Sequence, residues 1–165
     1  MGEEIKYSRF VKTDYQQYAR HLQQETDLLA EWFNNDALSR RQPVAGYELE
    51  AWLIDNKASP CPQNESFLER VDNPYIFPEL AKFNVELNVD PLPLNNGVLS
   101  EFDRHLQRLW KQCQQTSKDL GCNMLGIGIL PTLTDNDLSL DNISSLDRYR
   151  ALNEQVLRHR QGKTI

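Results

Sequence analysis

The chain has 165 residues, enough for one domain with a real core or for part of a larger one. Hydrophobic residues make up 39% and charged residues 25%, as in an ordinary globular protein, and the formal net charge of −6 argues against broad binding to nucleic acid or to an anionic membrane. No apolar run approaches the ~20 residues of a membrane span, and the polar, acidic start Met-Gly-Glu-Glu-Ile-Lys lacks the character of a secretory leader, so a cytoplasmic location is expected.

Cys61, Cys113 and Cys122 show no CxxC spacing, and the odd count reads as reduced thiols. His21, His105 and His159 lie far apart with no H-x-x-x-H pair, which disfavours a zinc site.

In chain order, Thr13 and Gln16 form a capping-box signature. Tyr15, Tyr18, Leu22, Leu29 and Phe33 then recur at helical spacing and predict a helix over 14–34. A basic loop over 39–43 leads to a strand over 45–54. The stretch 56–78 carries prolines at 60, 62, 74 and 78 and reads as a long loop with one helical turn over 66–71. A second strand covers 82–89.

Next comes the strongest helical pattern. Ser100 is the expected N-cap, Leu99, Phe102, Leu106, Leu109, Trp110 and Cys113 form the apolar stripe, and Gly121 ends the helix. The run 123–130 predicts a buried strand, with Gly126 and Gly128 where another group comes close. A last helix, capped by Ser144 or Ser145, is expected over 146–160.

The order helix, strand, loop, strand, helix, strand, helix indicates an α+β fold, with an antiparallel or mixed sheet and helices on one side. The expected organisation is one domain over 1–165, with an N-terminal helical segment over 1–40 and a sheet-plus-helix portion over 45–165. Few strands for so many helices suggest the front part of a longer catalytic domain. A half sheet would leave an open strand edge, so self-association of the chain is expected.

The two alternating segments carry the chemistry. In 83–89, Phe83, Val85, Leu87 and Val89 share one face, and Asn84, Glu86 and Asn88 the other. In 47–54, Tyr47, Leu49, Ala51 and Leu53 lie opposite Glu48 and Glu50, whose face continues into Trp52 and Ile54. A solvated strand face is the simplest reading of such carboxylates. However, Asn, Glu, Asn and Asp are poor strand residues, and the Glu48/Glu50 face is not uniformly polar. Carboxylates crowded on one surface repel unless a cation sits between them, and a hard divalent ion such as Mg²⁺ suits oxygen donors.

These residues also resemble a family. Gly46-Tyr-Glu-Leu-Glu50 is similar to the G-x-E-x-E first strand of the glutamate–cysteine ligase and carboxylate–amine ligase superfamily. Val85-Glu-Leu-Asn-Val-Asp-Pro91 resembles its second signature, Glu79 matches a further acidic position, Gly126-Ile-Gly-Ile-Leu-Pro131 resembles its G-x-x-P strand end, and Arg148-Tyr-Arg-Ala-Leu152 its arginine–tyrosine segment.

The resemblance implies the front half of a glutamine synthetase-like catalytic fold. It implies an ATP-dependent ligase that forms an amide through an acyl phosphate, with ATP, a glutamate-like carboxylate and an amine such as cysteine as substrates and Mg²⁺ as cofactor. It assigns Glu48, Glu50, Glu79 and Glu86 to the metal, Asn88 and Arg150 to catalysis, and Tyr149 and Arg150 to substrate binding. In that family later strands add a histidine and a further glutamate, so the site in this chain would be incomplete. The alternatives are a non-catalytic binding or assembly domain derived from the same fold, and a metal-dependent hydrolase. No nucleic-acid or membrane partner is expected.

Overall fold

The structure is a computed structural model that describes residues 4–5, 9–38 and 42–161. Most of the basic loop expected over 39–43 lies outside the described residues. The chain divides into two compact units. One comprises residues 1–42 with 146–164, and the other, essentially 43–145, carries the sheets. Each is described by itself.

In the sheet unit, β1 (Val44–Ala45) pairs antiparallel with β5 (Leu92–Pro93). A second, four-stranded antiparallel sheet has the order β3-β4-β2-β6, built from β3 (Ile76–Pro78), β4 (Asn84–Asn88), β2 (Glu48–Ile54) and β6 (Asn123–Leu125). Among the described residues the fold is therefore α+β, with four α-helices and two antiparallel sheets.

The β2–β4 register follows from the alternation. Pairing Leu49 with Leu87 and Ala51 with Val85 sends Leu49, Ala51, Leu53, Val85 and Leu87 to one face. Helix α2 (Asn64–Val71) and helix α3 (Val98–Asp119) pack on that face. The core joins Ala51, Leu53, Val85 and Leu87 to Phe67 of α2 and to Leu109 and Cys113 of α3. Phe67, Val85 and Leu87 are fully buried. The expected long loop over 56–78 with one helical turn over 66–71 is instead broken by a two-turn helix, which contains that turn, and by an edge strand. Phe67, Leu68 and Val71 supply enough apolar surface to hold α2 on the sheet.

Other boundaries differ for local reasons. Helix α3 is capped three residues before Ser100, by Gly97 in the left-handed region, φ 98°. Gly121 also has positive φ, 75°, as a helix-ending glycine should. Strand β6 stops at Leu125 rather than Leu130, because the Ile127 carbonyl accepts a bond from Trp52 Nε1 at 3.0 Å instead of joining a ladder. At Gly126 an added Cβ would meet the Trp110 ring at 3.3 Å, so a close approach does occur there, whereas Gly128 faces open space.

The cysteines correct the expectation of three reduced thiols. Cys61 and Cys122 form a disulfide, while Cys113 is free and buried. Both bonded cysteines flank the β2–β6 pair. The Cys61 N–H donates to the Leu53 carbonyl at 2.9 Å, and Cys122 directly precedes β6.

In the other unit, α1 (Lys12–Asn34) is capped differently from the Thr13/Gln16 expectation. Asp14 reaches back to accept the Val11 N–H at 2.8 Å. Helix α4 (Asp147–His159) follows Leu146 rather than a serine cap. No helix among the described residues is long and apolar enough to cross a membrane.

Candidate metal centre

The alternation that builds the core on one face of β2 and β4 places polar residues on the other. Glu50 pairs directly with Glu86, and Glu48 with Asn88. Directly opposite residues on neighbouring strands have side chains ~5 Å apart, so the two glutamates meet without any loop having to bring them together. A third carboxylate arrives from outside the ladder. The chain leaves β3 at Pro78, and Glu79 turns toward Glu86. Carboxylate oxygens of Glu50, Glu79 and Glu86 all lie within 4.8 Å of one another.

Each acid has a distinct setting. Glu50 is exposed, Glu79 half-buried and Glu86 buried, with 7% of its surface accessible. Asn88, two residues along the same face of β4, donates its Nδ2–H to Glu86 Oε1 at 2.7 Å and fixes that carboxylate. Burial is the main cause that pushes the Glu79 carboxyl up to about 7, followed by its hydrogen bond with Glu86 and the negative charges of Glu86 and Glu50. The Leu80 N–H, donated to Glu79 Oε2 at 3.2 Å, opposes this, and more strongly than either neighbouring charge adds to it. The Glu79 carboxyl therefore keeps its proton to a higher pH than a free glutamate does.

The Glu79 segment is anchored on both sides. The Ser144 hydroxyl donates to the Glu79 carbonyl, and the Ser144 N–H to the Leu80 carbonyl at 2.8 Å. Ala81 bridges Ile143, and the Lys82 N–H reaches the Asn142 carbonyl at 2.8 Å. Asn64 Nδ2, at the start of α2, donates to the carbonyls of Ala81 and Asn84, both at 3.2 Å, and lies 3.3 Å from Ser144 Oγ. Asn64 and Ser144 escaped the sequence reading. Ser144 read as a helix cap, and no periodicity marks an isolated asparagine as a strut.

Of the residues expected to bind metal, the structure brings together Glu50, Glu79 and Glu86. Glu48 is exposed, two residue pairs along the strand, and lies outside this trio. Asn88 is buried against Glu86. Tyr149 and Arg150 lie on α4, in the other unit. The Arg148 guanidinium stacks 4.8 Å above the Tyr149 ring, and Arg150, its side chain 64% exposed, approaches Asp147 at 4.0 Å.

The same sheet face carries an aromatic group. Trp52, two residues beyond Glu50, stacks on Phe83 with ring centroids 5.4 Å apart and planes 10° from parallel.

Three convergent carboxylates, one of them retaining a proton, are the donor set a hard divalent cation takes up. A cation would replace the shared proton and remove the mutual repulsion. No protein-family model matches this sequence, and no curated protein or solved structure matches it either.

Proposed function

We propose that this chain carries the metal-binding part of an ATP-dependent carboxylate–amine ligase similar to the glutamate–cysteine ligases. The observation that supports it best is the convergence of Glu50, Glu79 and Glu86 from three separate strand contexts onto one sheet face. These are three of the four acidic positions the resemblance assigns to the metal.

In this reading Mg²⁺ offsets the charge between ATP phosphates and a substrate carboxylate and polarises the phosphoryl oxygens. The protein's contribution is positional. Asn88 holds Glu86 in one orientation, the antiparallel register sets Glu50 opposite it, and the Ser144 and Asn64 bonds fix the backbone that carries Glu79. A cation held by Glu50, Glu79 and Glu86 would displace the Glu79 proton to solvent. Glu48 extends the acidic face toward solvent. The resemblance assigns Tyr149 and Arg150 of α4 to a substrate carboxylate. The amine acceptor follows by analogy, with cysteine the typical choice.

Calorimetric titration with Mg²⁺-ATP tests the proposal, using wild type and a Glu50→Gln/Glu86→Gln double variant. Binding by wild type that the double variant loses is the expected result. Equal binding by both proteins, or by neither, would overturn the assignment of a working cation–nucleotide site to these carboxylates.

A further inference from the structure

Helix α1 presents an exposed apolar stripe. It runs 23 residues, ~35 Å, and none of its residues is buried. Tyr15, Tyr18, Leu22, Leu29 and Phe33 recur at 3.6-residue spacing on one face, and all are between 46% and 66% exposed. Near its start Phe10 packs edge-to-face on Tyr15, with centroids 6.3 Å apart, beside a hollow of about 520 Å³ lined by Tyr18 and His21. A helix without tertiary packing is marginal in water even at this length.

Its charges are arranged against it. Residues 9–22 carry Arg9, Lys12 and Arg20 against one carboxylate, Asp14. Residues 23–36 carry Glu25, Asp27, Glu31 and Asp36 and no lysine or arginine. The last turn holds no basic residue. Cations toward the positive end of the helix dipole and anions toward its negative end both disfavour a lone helix.

We infer that α1 is a self-association surface, and that its occupant is the α1 of a second copy of this chain, running antiparallel. In that arrangement the basic half of each helix lies along the acidic half of the other, and the two macrodipoles oppose. A parallel pair would instead set the four-carboxylate halves side by side. Centring the pair on Leu22 also matches the apolar stripe with itself. Tyr15 then faces the partner's Leu29, and Val11 faces the partner's Phe33. The chemistry is that of an amphipathic helix reading its own reversed charge pattern. It is independent of the metal site.

Sedimentation over a range of concentrations, combined with cross-linking, tests this. Wild type is expected to show a monomer–dimer equilibrium with a limiting twofold mass. Leu22→Asp/Leu29→Asp is expected to raise the dissociation constant at least about 100-fold while the sheet unit keeps its spectrum. Under mild oxidation, the Tyr15→Cys and Leu29→Cys proteins are expected to cross-link with each other when mixed, and neither with itself alone. A monomer at every concentration would overturn the inference, including the case where α1 instead binds lipid vesicles or another protein. So would a dimer indifferent to the double substitution, or cross-linking of the Tyr15→Cys protein to itself, which marks a parallel pair.

Discussion

The two faces of the four-stranded sheet are built from the same two central strands, alternate residue by residue, and do opposite things. On the helix side, Ala51, Leu53, Val85 and Leu87 lie at most 1% exposed under α2 and α3. On the other side, Glu50 and Glu86 face each other and draw in Glu79. The first face gains by excluding water. The second gathers like charges, a cost in the absence of a cation. A protein selected for stability alone would not place three carboxylates there, and that contrast is what gives the acidic face its meaning.

The largest effect that can test this contrast lies on the dry side. Phe67→Ala, at the centre of the core, is expected to lower unfolding free energy by about 3–5 kcal/mol in denaturant melts. A much smaller loss would mean that the helix face is not the stabilising one. On the wet side the sign should reverse. Glu86→Gln keeps an acceptor for Asn88 while removing one charge, and without divalent ions it is expected to raise stability by the order of 1 kcal/mol. Destabilisation by that substitution would mean that the charge is already compensated within the chain.

A smaller and sharper effect comes from Glu79. Its folded pKa, about 7, lies above the reference value of 4.5. Between those values the folded chain holds a proton that the unfolded chain has released, so the contribution is full below 4.5 and is lost as pH rises through about 7. Metal-free wild type should therefore lose stability over that window relative to Glu79→Gln. Parallel stability–pH curves for the two proteins would contradict the shared-proton arrangement.

The contrast also shows what was legible in advance. Period-two alternation was enough to assign 84–88 and 48–54 to faces, although Phe83, expected with Val85 and Leu87, stacks on Trp52 instead, and the register follows once both apolar sets must be buried together. The meeting of Glu50 with Glu86 is thus a consequence of pattern. Glu79 is different. It sits past the end of a three-residue strand, where no periodicity speaks, and its approach depends on the Ser144 hydroxyl donating to the Glu79 carbonyl across 65 residues of sequence and on the Ser144 N–H donating to the Leu80 carbonyl. The Cys61–Cys122 disulfide was hidden for the same reason, since a separation of 61 residues carries no local signature. Helix α1 was readable from its 3.6-residue spacing, but spacing says which face is apolar, not whether anything lies against it. Helix α2 was half missed because Pro60 and Pro62, just ahead of it, look like loop, although Phe67 and Val71 drive it onto the sheet.

The most direct test of the central claim is Mg²⁺ titration by calorimetry at about pH 6.5 in two buffers of different protonation enthalpy, with Glu79→Gln alongside. A carboxylate trio that trades a proton for a cation predicts binding to wild type with net proton release, and no such release from the variant. Absence of binding to wild type, or binding with the same proton count in both proteins, would contradict it.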